Sequence, residues 1–312
     1  MEMNMNFWLI FALLFLFGMF IGVIATIGGI GGGPIVMPLF LLIFQITPEI
    51  AKGTSIFIIF ISTGIATITH YRAGKIHLPS LLIIAAVGSA GSITYFLIYP
   101  WLNISLNIFY LLFGIFELFI ASRYIWKEFR LLSSHKFKRR KNELKCASSS
   151  TSASSSSSLS FSIISPDLCI DKNSISQNAN LKDHLRLFSS KSKNRNILTI
   201  PFFFLAGFAS SFLGIGGGPI NTPVLYEIIK LPIYNATAAS TTIIFFNSMI
   251  NVILYALHGE INWIFALWMG GGMMIGSFIG AKFASKIPRT WILLSLSVLM
   301  AFAGLKLIFS EI

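Results

Sequence analysis

Two short strings carry the chemistry this chain offers. Gly29-Ile30-Gly31-Gly32-Gly33-Pro34-Ile35 recurs as Gly214-Ile215-Gly216-Gly217-Gly218-Pro219-Ile220, and each sits inside an otherwise apolar stretch. Glycine is costly within a helix, and proline lacks the N–H that would continue one. Proline is well placed, however, in the first turn of a new helix. Each string therefore predicts a helix ending near Thr26 or Phe212, a bare backbone loop, and a short helix starting at Pro34 or Pro219. Unpaired backbone N–H groups and the positive end of a helix suit an anion, so the chemistry implied is binding rather than bond-breaking. The candidate binding residues are Gly31, Gly32, Gly33 and Pro34, with Gly216, Gly217, Gly218 and Pro219. The competing reading is that the glycines only let helices approach closely, as small residues do in membranes.

Side chains that could add to such a site are few. Thr54, Ser55, Ser240 and Thr241 follow the two breaks, and Asn221 and Asn247 join them as candidates. Each of these hydroxyls can instead bond back to its own helix. Asn247 and Asn251 share a helix face, where an amide in hydrocarbon needs a partner. Glu117 is the clearest acid within an apolar run, placed toward the cytoplasmic end with Arg123 as a ready partner. His70 and His258 fall at helix ends. Nothing in the chain has the spacing of a nucleophile triad, a metal cluster or a phosphate-binding Gly-Lys-Ser/Thr loop. No catalytic residue, metal or cofactor is expected, and the chain is not read as an enzyme.

The elements that must hold these residues are membrane helices. Only 11% of the 312 residues are charged, against about 25% in soluble domains. Phe7–Ile27, Leu78–Tyr99, Ile104–Trp126, Trp263–Phe283 and Thr290–Phe309 each approach or exceed the ~20 residues that cross a bilayer as helix. Thr54–Tyr71 and Ala238–Leu257 are similar in length and slightly more polar. Backbone in hydrocarbon must pair internally, which favours helices, and the alternating segments of a transmembrane barrel are missing.

Charge gives the orientation. Between Lys127 and Asn196 lie 14 of the 23 Lys and Arg, so the +12 net charge is concentrated in one polar segment. A basic loop marks the cytoplasmic side, and the absence of aromatic interleaving argues against nucleic acid. Ser148–Ser160 is nearly all serine, so residues 133–194 read as a disordered cytoplasmic loop whose Cys146 and Cys169 stay reduced. That loop separates a first membrane repeat, 1–132, from a second, 195–312. The offset of 185 that aligns the glycine strings also pairs Pro38 with Pro223, Ser55 with Ser240, Phe60 with Phe245 and Gly91 with Gly276. Such in-register matches indicate duplication. The turn holding Arg72 and Lys75 corresponds to one holding Glu260, and this reversal of charge predicts inverted repeats with both termini outside. The fold expected is an all-α polytopic membrane protein of two inverted repeats. Each repeat has about four to five helical segments, including Gly/Pro-broken helices.

With these features the chain resembles the sulfite exporter family TauE/SafE. The resemblance rests on the paired Gly-Gly-Gly-Pro segments followed by Pro38 and Pro223. It rests also on the strings Ala51–Ser55 and Ala236–Ser240 and on the glycine turns at Gly74 and Gly259. It covers both membrane halves and not the central loop. It implies a secondary permease for sulfite, an organosulfonate or a related small oxyanion. The partners expected are that anion and the lipid bilayer, with a coupling proton or sodium ion as an open option and no nucleic acid. By that likeness the substrate role falls on Gly31–Pro34, Gly216–Pro219, Ser55 and Ser240. Two other readings stay open at this point: a carrier of metal or organic cations, and a membrane scaffold or receptor acting through the basic Ser-rich loop.

Overall fold

A computed structural model describes residues 2–74, 76, 78–101, 105–126, 193–283 and 289–309. Most of the segment 133–194, with both cysteines, lies outside them, as do Lys75 and Asn103. The helices are α1 (Glu2–Gly28), α2 (Gly33–Leu42), α3 (Pro48–Arg72), α4 (Leu78–Ile98) and α5 (Leu106–Trp126). After the central segment come α6 (Lys193–Leu213), α7 (Gly218–Pro223, running on as a π-helical turn Val224–Ile228), α8 (Ile233–Leu257), α9 (Trp263–Phe283) and α10 (Arg289–Phe309). Among the described residues there is no strand. Six helices among the described residues are long and apolar enough to cross a bilayer. Their outer faces expose Phe17, Phe20, Ile83, Leu97, Phe119 and Phe302, an apolar surface that needs lipid rather than water. Trp101, Trp126 and Trp263 are exposed at helix ends, where indoles favour the membrane interface. The chain is an integral, multi-pass membrane protein.

Small residues set how the helices pair. A Cβ at Gly272, Gly276 or Gly280 of α9 would strike the backbone of Phe15, Met19 or Val23 of α1. The contacts advance together along both chains, so α1 and α9 run parallel and nearly touch. The same device joins α4 to α6, where Gly91 lies against Phe204 and, further along both helices, Tyr95 meets the Phe208 and Phe212 rings, so these two also run parallel. Ser92 adds a hydrogen bond from its Oγ to the Gly207 carbonyl at 3.1 Å. In hydrocarbon there is little hydrophobic drive between helices, so close backbone approach of this kind supplies the packing.

Cross-helix contacts order the remaining elements. The Asn262 N–H donates to Thr54 Oγ1 at 2.9 Å and Ser62 bonds Ser277 at 2.5 Å, so α3 also runs parallel to α9. On the other side Ser89 bonds Asn247 at 3.3 Å and the Phe96 and Tyr255 rings are 4.8 Å apart, which aligns α4 with α8. The end of α4 meets the start of α3, because Tyr99 donates to Glu260 at 3.0 Å while Gly53 packs on the Glu260 carbonyl. Hence α1, α3 and α9 point one way and α4, α6 and α8 the other. Short α2 doubles back beside α1: Gly32 lies near Ala25 and Ile21, and the Phe44 ring reaches Phe265 at 5.1 Å.

A candidate substrate site at the paired glycine breaks

The two breaks fold as the sequence predicts, displaced by one or two residues. Helix α1 ends at Gly28 and α6 at Leu213, and the short helices begin at Gly33 and Gly218. Their N-caps, Gly32 (φ 84°) and Gly217 (φ 71°), are left-handed, a conformation that a side chain penalises. The following prolines have no N–H to leave unpaired. Ile35 and Val36 donate to the Gly32 carbonyl, and Ile220 and Asn221 to that of Gly217, so the first turns are self-satisfied. The free donors therefore belong to the loops rather than the helix starts. Among the described residues the N–H groups of Gly31, Gly32, Gly216 and Gly217 have no acceptor.

These loops meet each other. Gly33 abuts the backbone of Ile215, and Gly218 abuts that of Ile30. Gly31 and Gly216 both face Ile59 and Ile244, which lie next to the midpoints of α3 and α8. Each break is tied to the opposite repeat by a matched hydroxyl. Ser55 Oγ donates to the Gly214 carbonyl at 2.9 Å, and Ser240 Oγ donates to the Gly29 carbonyl at 3.1 Å. Phe60 stacks on its own counterpart Phe245 at 5.3 Å with planes 10° apart. Reciprocal contacts of this kind require an approximate two-fold axis between the halves.

The symmetry is broken in polarity. Position 36 in the first repeat is Val and its counterpart 221 is Asn, and both are fully buried. Neither amide atom of Asn221 has a hydrogen-bond partner, an arrangement that costs free energy unless something else completes it. The neighbouring Thr222 donates to the Gly29 carbonyl at 2.7 Å, a contact that sequence pairing does not single out because Met37 holds the equivalent place. Asn247 is bonded through Oδ1 to Ser89, leaving its Nδ2 unpartnered beside Gly88. Asn251 bonds Ser211 at 2.9 Å and acts between helices.

The other candidates sit apart from the breaks or are otherwise engaged. Thr54 accepts from the start of α9, and Thr241 bonds back to Thr237 and Ala238. Glu117 lies in mid-helix, 1% exposed, rather than near the cytoplasmic end. Its expected partner Arg123 instead pairs with Glu227 at 2.5 Å, because residues six apart on a helix point to different sides. His70 is buried, not solvated at a helix end.

Similarity to known proteins decides the class. The family described as sulfite exporter TauE/SafE matches residues 14–307, nearly the whole chain. The chain belongs to this family. The Bacillus subtilis probable membrane transporter protein YunE is 23% identical, aligned over 97% of this chain and 98% of its own. A probable membrane transporter protein of Methanocaldococcus jannaschii is 24% identical over 97% of each chain. A shorter stretch, 30% of this chain and 38% of the relative, is 33% identical to the Bacillus subtilis probable membrane transporter protein YdhB. No solved structure matches it. The TauE/SafE protein is thus a membrane transporter, and its relatives carry no narrower description of cargo.

Proposed function

We propose that this transporter is a secondary permease for a small oxyanion, such as sulfite or an organosulfonate, bound between the two glycine breaks. The observation that carries this reading is the pairing of acceptor-free glycine N–H groups with the buried, unpartnered amide of Asn221. Backbone donors shielded from bulk water replace the hydration of an anion without requiring a fixed countercharge. Both breaks contribute backbone donors, and Asn221 Nδ2 adds a side-chain donor to them. Its Oδ1 would serve a protonated oxygen of the same substrate.

The same reading makes the repeats inverted in the bilayer. Equivalent helices α1 and α6, α3 and α8, and α4 and α9 point in opposite senses, and this supports inversion around a central site. With residues 127–192 cytoplasmic, the starts of α1, α3 and α9 lie on the outer side.

The test is flux of labelled sulfite into vesicles reconstituted with the purified protein. Saturable uptake above that of protein-free vesicles is expected. Asn221→Val copies the residue that the first repeat accepts at this depth, so folding should survive. Transport should fall about tenfold or more, the scale of one lost hydrogen bond to a charged ligand. Wild-type flux equal to that of empty vesicles, or full activity in Asn221→Val, would refute the site.

A further inference from the structure

The approximate two-fold axis relates Lys52 in α3 to Thr237 in α8. Both positions press on a break. A Cβ at Gly214 would stand 2.9 Å from Lys52 Cα, and one at Gly29 would stand 3.0 Å from Thr237 Cα. The two positions are therefore built alike but furnished differently, one with an ammonium and the other with a hydroxyl. Lys52 is only 5% exposed. Its Nζ lies 4.7 Å from the centre of the Phe109 ring and 6.0 Å from that of Tyr99.

The surroundings leave that charge uncommitted. Glu49 and Glu260 attract Lys52 electrostatically, yet among the described residues neither forms an ion pair with it. The Glu260 carboxylate instead receives the Tyr99 hydroxyl. An aromatic face holds an ammonium by its quadrupole and does not neutralise it. A buried cation without a counter-ion is costly and persists where an anion visits it. A carboxylate clamped onto Lys52 would have blocked that use, whereas a ring can be exchanged for a substrate with little loss.

We propose that Lys52 is the charge-selecting residue of the transporter, receiving the oxyanion at one mouth and passing it to the Gly214–Gly218 break. This rests on the oxyanion reading above and adds a sidedness to it. Lys52 stands on the face shared by the starts of α3 and α9, the outer face in the proposed topology. The equivalent position at the other break, Thr237, offers a hydroxyl in place of the ammonium.

The experiment measures sulfite flux in vesicles for Lys52→Met, Lys52→Arg and Lys52→Cys, each in a Cys146→Ser, Cys169→Ser background. Methionine fills the same volume and removes a buried charge, so the protein should remain folded. Lys52→Met should raise KM by about tenfold or more, while Lys52→Arg stays within a few-fold of wild type. In the Lys52→Cys variant, attaching an aminoethyl group to the introduced thiol should restore the low KM, and attaching an ethylsulfonate should not. Sulfite-dependent thermal stabilisation in detergent, lost in Lys52→Met, gives a second readout that needs no transport. Wild-type vesicles without saturable flux would sink the transport reading, and the thermal readout would still report on Lys52. An unchanged KM and thermal shift in Lys52→Met would overturn this inference. So would Lys52→Arg as impaired as Lys52→Met, which marks a role in packing alone.

Discussion

At the scale of single residues the two breaks differ in how well they are tied down. The Gly29 carbonyl receives hydroxyls from both Thr222 and Ser240, which are themselves 2.9 Å apart. The Gly214 carbonyl receives Ser55 alone. Ser55→Ala should therefore leave a buried carbonyl unsatisfied and cost about 1–3 kcal/mol. Ser240→Ala should cost less, because Thr222 remains. Thermal unfolding in detergent checks this, with the larger drop in Tm expected for Ser55→Ala and a comparable drop for Thr222→Ala with Ser240→Ala. Equal drops for the two single variants would show that the hydroxyls act elsewhere. Sequence pairing at the offset of 185 makes Ser55 and Ser240 visible as a pair. It does not show that each serves the other repeat's backbone, since a contact between residues 159 apart is a property of the fold.

At the scale of elements the close helix pairs are held by glycine, and their costs can be ranked. Gly91→Ala and Gly276→Ala place a methyl against the carbonyls of Phe204 and Met19 in two equivalent interfaces. Overpacking of this sort costs about 1–3 kcal/mol, and the two variants should lose similar amounts. Gly74→Ala and Gly259→Ala meet nothing within 4 Å, although both turns are left-handed, with φ 66° and 72°. Their penalty should be confined to about 1–2 kcal/mol of backbone strain. Yield of monodisperse protein and Tm distinguish the two classes. A harmless Gly276→Ala would mean that α1 and α9 can separate. These helices are legible in the sequence because crossing a bilayer demands long apolar runs. The ends expected near Thr26 and Phe212 fall one or two residues early, because fraying into a glycine loop depends on what the last carbonyls meet.

At the scale of the whole molecule the proposed inversion fixes where each segment is reached from. Single cysteines near Met1 and near Ile312 should react with a membrane-impermeant thiol reagent from the outer side, in protein lacking Cys146 and Cys169. The native Cys146 and Cys169 should react only from the cytoplasmic side. Labelling of a terminus and the central segment from the same face would rule the topology out. Deleting residues 133–192 should leave sulfite flux within about twofold, because the paired breaks contain no residue of that segment. Loss of flux without loss of folding would favour action through the loop.

By itself the sequence determined that the chain lives in a membrane, that it is duplicated, and that each copy is interrupted by a glycine loop. Composition, run length and self-similarity are local properties, and a low-dielectric solvent enforces them residue by residue. Glycine strings likewise announce a broken helix wherever they fall. Only the tertiary structure decided that the breaks face one another, that Ser55 and Ser240 cross between repeats, and that Asn221 is left without a partner. It also moved Arg123 from Glu117 to Glu227 and set Lys52 beside Gly214. Those relations join residues more than 100 positions apart, and helix packing, not hydropathy or spacing, brings them together.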